Sequence, residues 1–390
     1  MASSREDVSL HVLPTTVVIS LSRPSFGERE ERALLRCFRK GEWASGGSAS
    51  LKLERALKKR TNAGEVFLTT SGTSALELAF MALGVRPGNE ILVPSFTFPT
   101  TATSFMRMGA LPRFCDVDLQ SYNVTAETLA SQWTPKCKGV VVVHYAGRAC
   151  QMDQILRFAK IKRLWVVEDA AHAMGSRFNG VPLGTWGDFG AFSFHQTKNL
   201  VCGEGGALVA RKSDRRQVVE RCLEKGTNRR DFLQGIINKY QWVSMGSSFG
   251  MSDLLSSFLT PQIDRMEFLT DQRRAVADVY LDGLAQRKGP WIAPLPDLKK
   301  EGNWHLFAVR VPAQMRLAWI RWMRGHGIET SSHFEPLHTS PFGRTLYRGR
   351  LSLPVTEKIS KEILRLPIHP LISTRTARFI INTFVRFMDR

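Results

Sequence analysis

Residues 164–199 read LWVVEDAAHAMGSRFNGVPLGTWGDFGAFSFHQTKN. Two apolar runs, Leu164–Val167 and Phe189–Phe194, are each followed at once by a polar cluster. Glu168-Asp169-Ala170-Ala171-His172 follows the first, and His195-Gln196-Thr197-Lys198-Asn199 follows the second. Runs that are apolar at consecutive positions suit strands buried on both faces. Working outward, Val66–Leu68, Ile91–Val93, Val140–Val143 and Ala207–Ala210 repeat the pattern, with helical periodicity between them at Ser74–Leu83 and Met152–Lys160. This βαβα order predicts an α/β fold: a large domain with a mostly parallel central sheet flanked by helices. From about residue 245 the pattern becomes helical and charged, over Ser252–Gln262 and Arg273–Gln286. Pro290, Pro294 and Pro296 then read as a connection. A strand signal at Phe307–Val311 and amphipathic stretches at Met315–Gly325 and Thr374–Met388 predict a smaller C-terminal α/β domain. The expected organisation is an N-terminal extension (1–17), a large domain (18–250), and a helical connection with the small domain (251–390).

The composition suits a globular enzyme. Of 390 residues, 43% are apolar and 23% charged, enough for a sizeable core. No stretch approaches the roughly 20 uncharged apolar residues of a membrane span, and the first residues lack the basic start and long apolar run of a secretory signal. A cytoplasmic protein is therefore expected. Six cysteines occur, with no CxxC pair and no metal-ligand spacing, so free and largely buried thiols are expected and no metal site. The formal net charge of +19 asks for an anionic partner. Its basic residues are scattered, as in Lys58-Lys59-Arg60, Arg229-Arg230 and Lys299-Lys300, with no basic tail or nucleic-acid motif. A diffuse positive field attracts a pyrophosphate-bearing substrate equally well.

The polar clusters share one position: each follows an apolar run, at the carboxyl end of a predicted strand, where open α/β sheets bind ligands. Ser71-Gly72-Thr73-Ser74 follows Val66–Leu68, Pro94-Ser95-Phe96-Thr97-Phe98 follows Ile91–Val93, and His144-Tyr145-Ala146-Gly147 follows Val140–Val143. Free N–H groups and hydroxyls at Ser71–Ser74 suit a phosphate; an ordinary N-cap with a glycine turn reads the same way. Asp169 ends an apolar strand and needs a cation or several donors. A protonated pyridine nitrogen is one such partner, and an N-cap or a core salt bridge is the alternative. His172, three residues on, is expected on the same helical face, within reach of Asp169 or a cofactor. Lys198, near a sheet end and kept from water, can become a nucleophilic amine; alone, it is equally a surface lysine. Phe98 can stack on a planar ring or pack in the core. Lys225-Gly226-Thr227-Asn228-Arg229 reads as a polar loop.

Taken together, SGTSALELAF, PSFTFPTTA, DVDLQSYNV, HYAGRACQMDQI, VVEDAAHAMGS, GAFSFHQTKN, GEGG, EKGTNRRDF and HFEPLH resemble the DegT/DnrJ/EryC1/StrS family of sugar aminotransferases, which have the fold type I of pyridoxal phosphate (PLP) enzymes. The resemblance runs over about residues 18–388. It implies PLP as cofactor, with Lys198 as its Schiff-base lysine and proton shuttle. It implies further that Asp169 pairs with the pyridine nitrogen, with catalytic His172 close by. Gly72, Thr73 and Ser193 would bind the cofactor phosphate, and Phe98 would stack on the ring. Asn228 would reach the cofactor phosphate of a neighbouring subunit, which implies a homodimer with shared active sites. His333, in HFEPLH, falls where the family places a substrate-binding residue.

Within the family, HYAGRACQMD and the stretch from Lys225 to Leu254 are most similar to dTDP-4-amino-4,6-dideoxygalactose transaminases. That similarity implies transfer of an amino group from L-glutamate to a dTDP-linked 4-keto-6-deoxy sugar, for a lipopolysaccharide or related glycan. Related sugar dehydratases carry histidine at the lysine position, so Lys198 favours amino transfer over dehydration. Other readings are a 3-keto sugar aminotransferase of the same family and a non-catalytic PLP- or nucleotide-sugar-binding regulator. A nucleic-acid-binding protein is motivated by the charge alone.

Overall fold

A computed structural model describes residues 19–294, 301–347 and 351–389. The extension expected up to residue 17 lies outside the described residues. Two helices, α1 (Glu28–Lys40) and α2 (Ser48–Thr61), precede the alternating region. There follow β1 (Glu65–Thr69), α3 (Gly72–Ala82), β2 (Glu90–Pro94), α4 (Pro99–Met106), β3 (Leu111–Cys115), α5 (Ala126–Ala130), β4 (Cys137–Val143), α6 (Met152–Lys162) and β5 (Trp165–Asp169). A small hairpin, β6 (Arg177–Phe178) and β7 (Val181–Pro182), leads to β8 (Phe189–Ser193) and β9 (Gly206–Ala210).

Seven of these strands form one sheet in the order β1-β9-β8-β5-β4-β2-β3. The β2, β3, β4, β5 and β8 neighbours pair in parallel, whereas β9 is antiparallel to both β1 and β8. The mostly parallel sheet flanked by helices is therefore as expected. The strand missing from the sequence reading is β3. Its LPRFC sequence holds a proline and an arginine and begins at exposed Leu111, features an edge strand tolerates and a central strand does not.

The alternation along β4 shows how the two faces fill. Val141 joins Phe80 of α3, Ile91 and Phe105 of α4 in one core. Val140 and Val142 point the other way, onto Met152 and Ile155 of α6. All three valines are fully buried. After α7 (Arg216–Leu223) and α8 (Arg229–Leu233), helix α9 (Asp253–Asp264) packs on α1 and α2. The long helix α10 (Met266–Ala285) then passes between two cores. Met266 and Leu269 pack with the β1–β9 side of the large sheet, and Val276, Tyr280 and Leu284 pack with the C-terminal residues.

That second core lies against the antiparallel pair β10 (Phe307–Arg310) and β11 (Ile363–Leu366) and the helices Arg316–Gly325 and Thr374–Arg386. Trp319 is at its centre, stacked on Phe384 with ring centroids 5.0 Å apart, its indole N–H donating to the Phe384 carbonyl at 2.9 Å. The expected C-terminal strand and helices are all present. The six cysteines are free, all buried but the half-buried Cys37. Among the described residues no helix is long and apolar enough to cross a membrane.

Candidate active site

The register of the sheet brings the polar clusters to one edge. Thr69 and Ser193 both pair with Gly206, Asp169 pairs with Ala191, and Val143 with Asp169. The carboxyl ends of β1, β4, β5 and β8 therefore lie side by side, and a cleft of about 670 Å³ opens there. Gly72, Thr73, Phe98, Asp169, His172, Ser193, Lys198 and His333 all line it.

Asp169, the last residue of β5, is 7% exposed. One carboxylate oxygen accepts the Thr101 hydroxyl at 2.7 Å and the other accepts the Ala171 N–H at 3.2 Å. Thr101 is itself 2.8 Å from the Thr97 hydroxyl. No lysine, arginine or histidine nitrogen of the described residues lies within ion-pair distance of this carboxylate; neutral donors hydrogen-bond it, Lys198 acts on it at longer range, and it presents an acceptor to a cationic group in the cleft. The core salt bridge considered for Asp169 is absent among the described residues.

Lys198 follows β8 in a turn closed by its own N–H, which donates to the His195 carbonyl at 2.9 Å. Burial is the main reason its amine is pulled down to about 8, with the Arg365 guanidinium acting in the same sense and Asp169 opposing both. A lysine so placed is about one-tenth neutral amine at pH 7, far more than an unperturbed lysine. The turn is fixed from the second domain. Asn199 donates to the Asn303 carbonyl at 2.9 Å, and its side-chain oxygen lies 2.9 Å from Nδ1 of His305.

The Ser71 side chain caps α3, accepting the Ser74 N–H at 3.0 Å. The next two N–H groups, of Gly72 and Thr73, fall in the first helical turn and have no acceptor there. The cap and the phosphate cradle are thus compatible. A side chain at Gly72 would bring Cβ to 2.9 Å from Cβ of Ser193, so the turn abuts the end of β8. Free N–H groups, the α3 dipole and the hydroxyls of Thr73 and Ser193 form an anion cradle. Phe98 caps α4 at 56% exposure and lines the cleft, so it is not a core residue.

His172 departs from expectation in its geometry. Residues 170–174 form tight turns, not a helix, so His172 shares no helical face with Asp169 and makes no hydrogen bond to it. Its Nδ1 instead faces the Ala146 N–H at 3.4 Å, and its ring lies 4.2 Å from that of His305. His333 lies 2.7 Å from the Tyr145 hydroxyl through Nδ1 and packs on Phe334 at 3.7 Å. Burial holds His172, His305 and His333 all well below the usual histidine range, and the nearby cations Lys198 and Arg365 add to the effect. These three cleft imidazoles are therefore neutral at neutral pH.

Asn228 does not line this cleft. Its side-chain oxygen accepts the Gln241 N–H at 2.7 Å, in the loop after α8. Sequence reasoning did not single out Thr101, Tyr145, His305, Phe334 or Arg365. Of these, only Tyr145 fell in a predicted strand-end cluster. Thr101 and Phe334 fall inside the motifs PSFTFPTTA and HFEPLH without being singled out, and His305 and Arg365 lie in the C-terminal part, where no local pattern marks them.

The sequence matches the profile of the DegT/DnrJ/EryC1/StrS aminotransferase family over residues 24–385. The chain belongs to this family. TlmJ, an aminotransferase from Streptoalloteichus hindustanus, superposes with a TM-score of 0.88 at 28% identity, over 95% of this chain and 99% of that one. Spr1654 from Streptococcus pneumoniae, in its PLP form, gives 0.86 at 26% identity, over 94% and 97%. A protein of Methanocaldococcus jannaschii without an assigned function is 29% identical over 378 residues, covering 94% of this chain and 97% of that one. The protein is thus a fold type I aminotransferase with PLP as cofactor. Its cleft fits that group: an anion cradle at α3, a buried carboxylate without a cation at β5, an exposed aromatic ring at Phe98, and an amine of lowered pKa at Lys198.

Proposed function

We propose that this aminotransferase moves an amino group from L-glutamate to C4 of a nucleotide-linked 4-keto-6-deoxy sugar, with dTDP as the nucleotide, for glycan biosynthesis. The observation that carries the amino-transfer step is the pairing of Lys198, its amine lowered to about 8, with the buried Asp169 in one cleft. Bound PLP supplies a carbonyl that captures an amine and a ring that draws electrons from the reacting carbon. Asp169 would pair with the ring nitrogen of the bound cofactor, and the hydroxyl of Thr101 holds that carboxylate in place. Gly72, Thr73 and Ser193 would hold the cofactor phosphate, and Phe98 would cover the ring. Lys198 would be the amine that holds the cofactor and the group that takes up and returns a proton in the cleft. His172 and His333, both neutral, line the cleft without adding charge. Asn228, away from its own cleft, serves the partner's cofactor phosphate in a homodimer. The choice of a 4-keto sugar rests on HYAGRACQMD and the stretch from Lys225 to Leu254.

The test is direct. Reduction of the PLP-loaded protein with borohydride is expected to label Lys198, and a label on any other lysine overturns the assignment. The product from glutamate and a dTDP-4-keto-6-deoxyhexose is expected to carry its amine at C4. Conversion of 3-keto sugars alone replaces this substrate by the other.

A further inference from the structure

We propose that the groove between α1 and α2 is a second anion site, separate from the cleft, for a compact ligand that carries a pyrophosphate. The groove encloses about 590 Å³, within the range of small-molecule sites, and no residue lines both cavities. Arg29, Arg32, Arg36 and Lys40 line it from α1, and Lys52 and Arg55 line it from α2. Spacings of three and four residues place each set on one side of its helix. Ser257 and Thr260 of α9, 8 and 5% exposed, form the floor on which both helices pack.

The acids nearby leave most of these cations free. Glu28 pairs with Arg32, and Glu42 pairs with Lys40 at 2.8 Å. Glu30 is fully buried and held by Arg265 at 3.1 Å and Gln262 at 3.0 Å. Asp253, also fully buried, accepts the N–H groups of Gly47, Ala49 and Ser50 at the start of α2. Glu31 of α1 and Glu54 of α2 do not line the groove, whereas Asp264 lines it at the end of α9. Among the described residues, Arg29, Arg36, Lys52 and Arg55 have no carboxylate within 4 Å.

An empty groove of this kind opposes its own helices. Like charges three and four residues apart on one helix face repel one another. Arg29 also lies in the first turn of α1, where the helix dipole disfavours a cation. An anion in the groove turns both effects favourable. The ends of the groove select a short ligand over a polymer. Lys40, Glu42 and Ser48 close one end through contacts of 2.8 to 2.9 Å. Asp264 stands at the other, next to the Arg265 that fastens Glu30 of α1. A nucleic-acid strand would have to carry its phosphates past both carboxylates. A pyrophosphate fits between them and meets guanidinium groups, whose paired N–H donors match phosphate oxygens. It can come as the free anion or on a nucleoside diphosphate, and titration separates the two.

The experiment titrates the PLP-loaded protein with inorganic pyrophosphate by calorimetry at low salt. It compares wild type with R29Q/R36Q on α1, K52Q/R55Q on α2, and the control R321Q/R324Q. The control removes equal charge from exposed positions that line neither cavity. Wild type is expected to bind pyrophosphate, and each groove variant to bind it about 10- to 100-fold more weakly, as for loss of charge-assisted contacts. The control should stay within about twofold. Melting supplies a second measure. Without pyrophosphate the groove variants should melt at or above the wild-type temperature, because repulsion is relieved. With pyrophosphate the wild type should rise and the groove variants should not. In the same titration with dTDP, loss of a site in the groove variants assigns the groove to nucleoside diphosphates. Loss seen with pyrophosphate alone assigns it to the free anion. Equal weakening in the control overturns the proposal, because a diffuse field then accounts for the binding. So does pyrophosphate affinity unchanged in both groove variants, or a wild type that does not bind it. An oligo-dT strand of about 20 nucleotides that binds more than about 100-fold tighter than pyrophosphate, and loses this in the groove variants, replaces the compact ligand by a nucleic acid. If one groove variant does not fold, the other decides by the same measures. Amino transfer takes place in the other cavity, so its failure or success in wild type is a separate result.

Discussion

At the scale of single residues, the cleft is governed by which groups can be charged. Lys198 is pulled down to about 8 by burial and by Arg365. Below that value the amine is mostly protonated and cannot attack a carbonyl; above it the neutral form dominates. The rate at which the apoprotein takes up PLP is therefore expected to rise with pH and level off above about 8, as followed by absorbance after mixing. A rate flat from pH 6 to 9 would contradict the lowered value. K198A should retain the fold and lose all covalent attachment after borohydride. Asp169 gives a second prediction. Thr101→Val removes one of two neutral donors from a carboxylate that has no cation in contact. An unsatisfied buried acceptor costs about 1–3 kcal/mol, so the apoprotein should melt lower. PLP should offset part of this loss, because the cofactor binds only the folded form. Equal melting temperatures for T101V and wild type would mean that Thr101 does not support Asp169.

At the scale of elements, the site depends on three close approaches. The turn into α3 lies against the ends of β8 and β9, where a side chain at Gly206 would overlap the Ser71 carbonyl. Gly206→Ala must push the Ser71–Thr73 turn outward. Overpacking of this kind costs about 1–3 kcal/mol, and the measurable consequence is weaker PLP binding in a fluorescence titration together with a lower melting temperature. The second approach is the segment carrying His333 and Phe334. It is clasped to β2 by the Leu337 N–H on the Ser95 carbonyl at 2.9 Å, and His338 bridges Ser95 at 2.7 Å and Glu357 at 3.3 Å. The third is the Asn199–His305 contact between the Lys198 turn and the second domain. Trp304 and Phe334, beside His305 and His333, have φ of 50° and 34°. Left-handed backbone at residues other than glycine costs about 1–3 kcal/mol each and recurs at functional sites, where surrounding contacts hold it in place.

At the scale of the whole molecule, the segment after α8 is apolar and open. Leu233, at the end of α8, and Ile236, Trp242 and Met245 beyond it are 65, 68, 77 and 73% exposed, and Asn228, just before α8, accepts from Gln241 of the same segment. An apolar stretch of this kind on a soluble protein marks an interaction surface. It suits the proposed homodimer, in which Asn228 would reach a neighbouring site. The expected mass by light scattering is therefore about twice the 43.9 kDa of the chain, and Trp242→Glu should shift it toward the monomer and weaken PLP retention. A monomeric wild type with full activity would remove both Asn228 and this loop from the site. The positive charge is less dispersed than the sequence suggests. Arg29, Arg32 and Arg36 of α1 line one groove with Lys52 and Arg55 of α2, because spacings of three and four residues bring them to one side of each helix and both helices pack on α9.

Much of this protein was legible in its residues. Six apolar runs gave six strands of the central sheet, because strands buried on both faces need continuous hydrophobic sequence. The polar ends of those runs gave Gly72, Thr73, Asp169, His172 and Lys198, and the family resemblance added Ser193; all line one cleft, because parallel strands place their carboxyl ends at one edge. Strand β3 escaped because an edge position tolerates Pro112 and Arg113. The histidine turn was read as helix because spacing alone does not distinguish a tight turn from a helical one. Thr101, His305 and Arg365 could not be read at all. Their roles come from contacts across 68, 106 and 33 positions, to Asp169, Asn199 and Ser332. Residue types and their local order determined the fold and the lysine. Only the packing of one domain against the other decided which cation, which neutral imidazoles and which hydroxyl surround it.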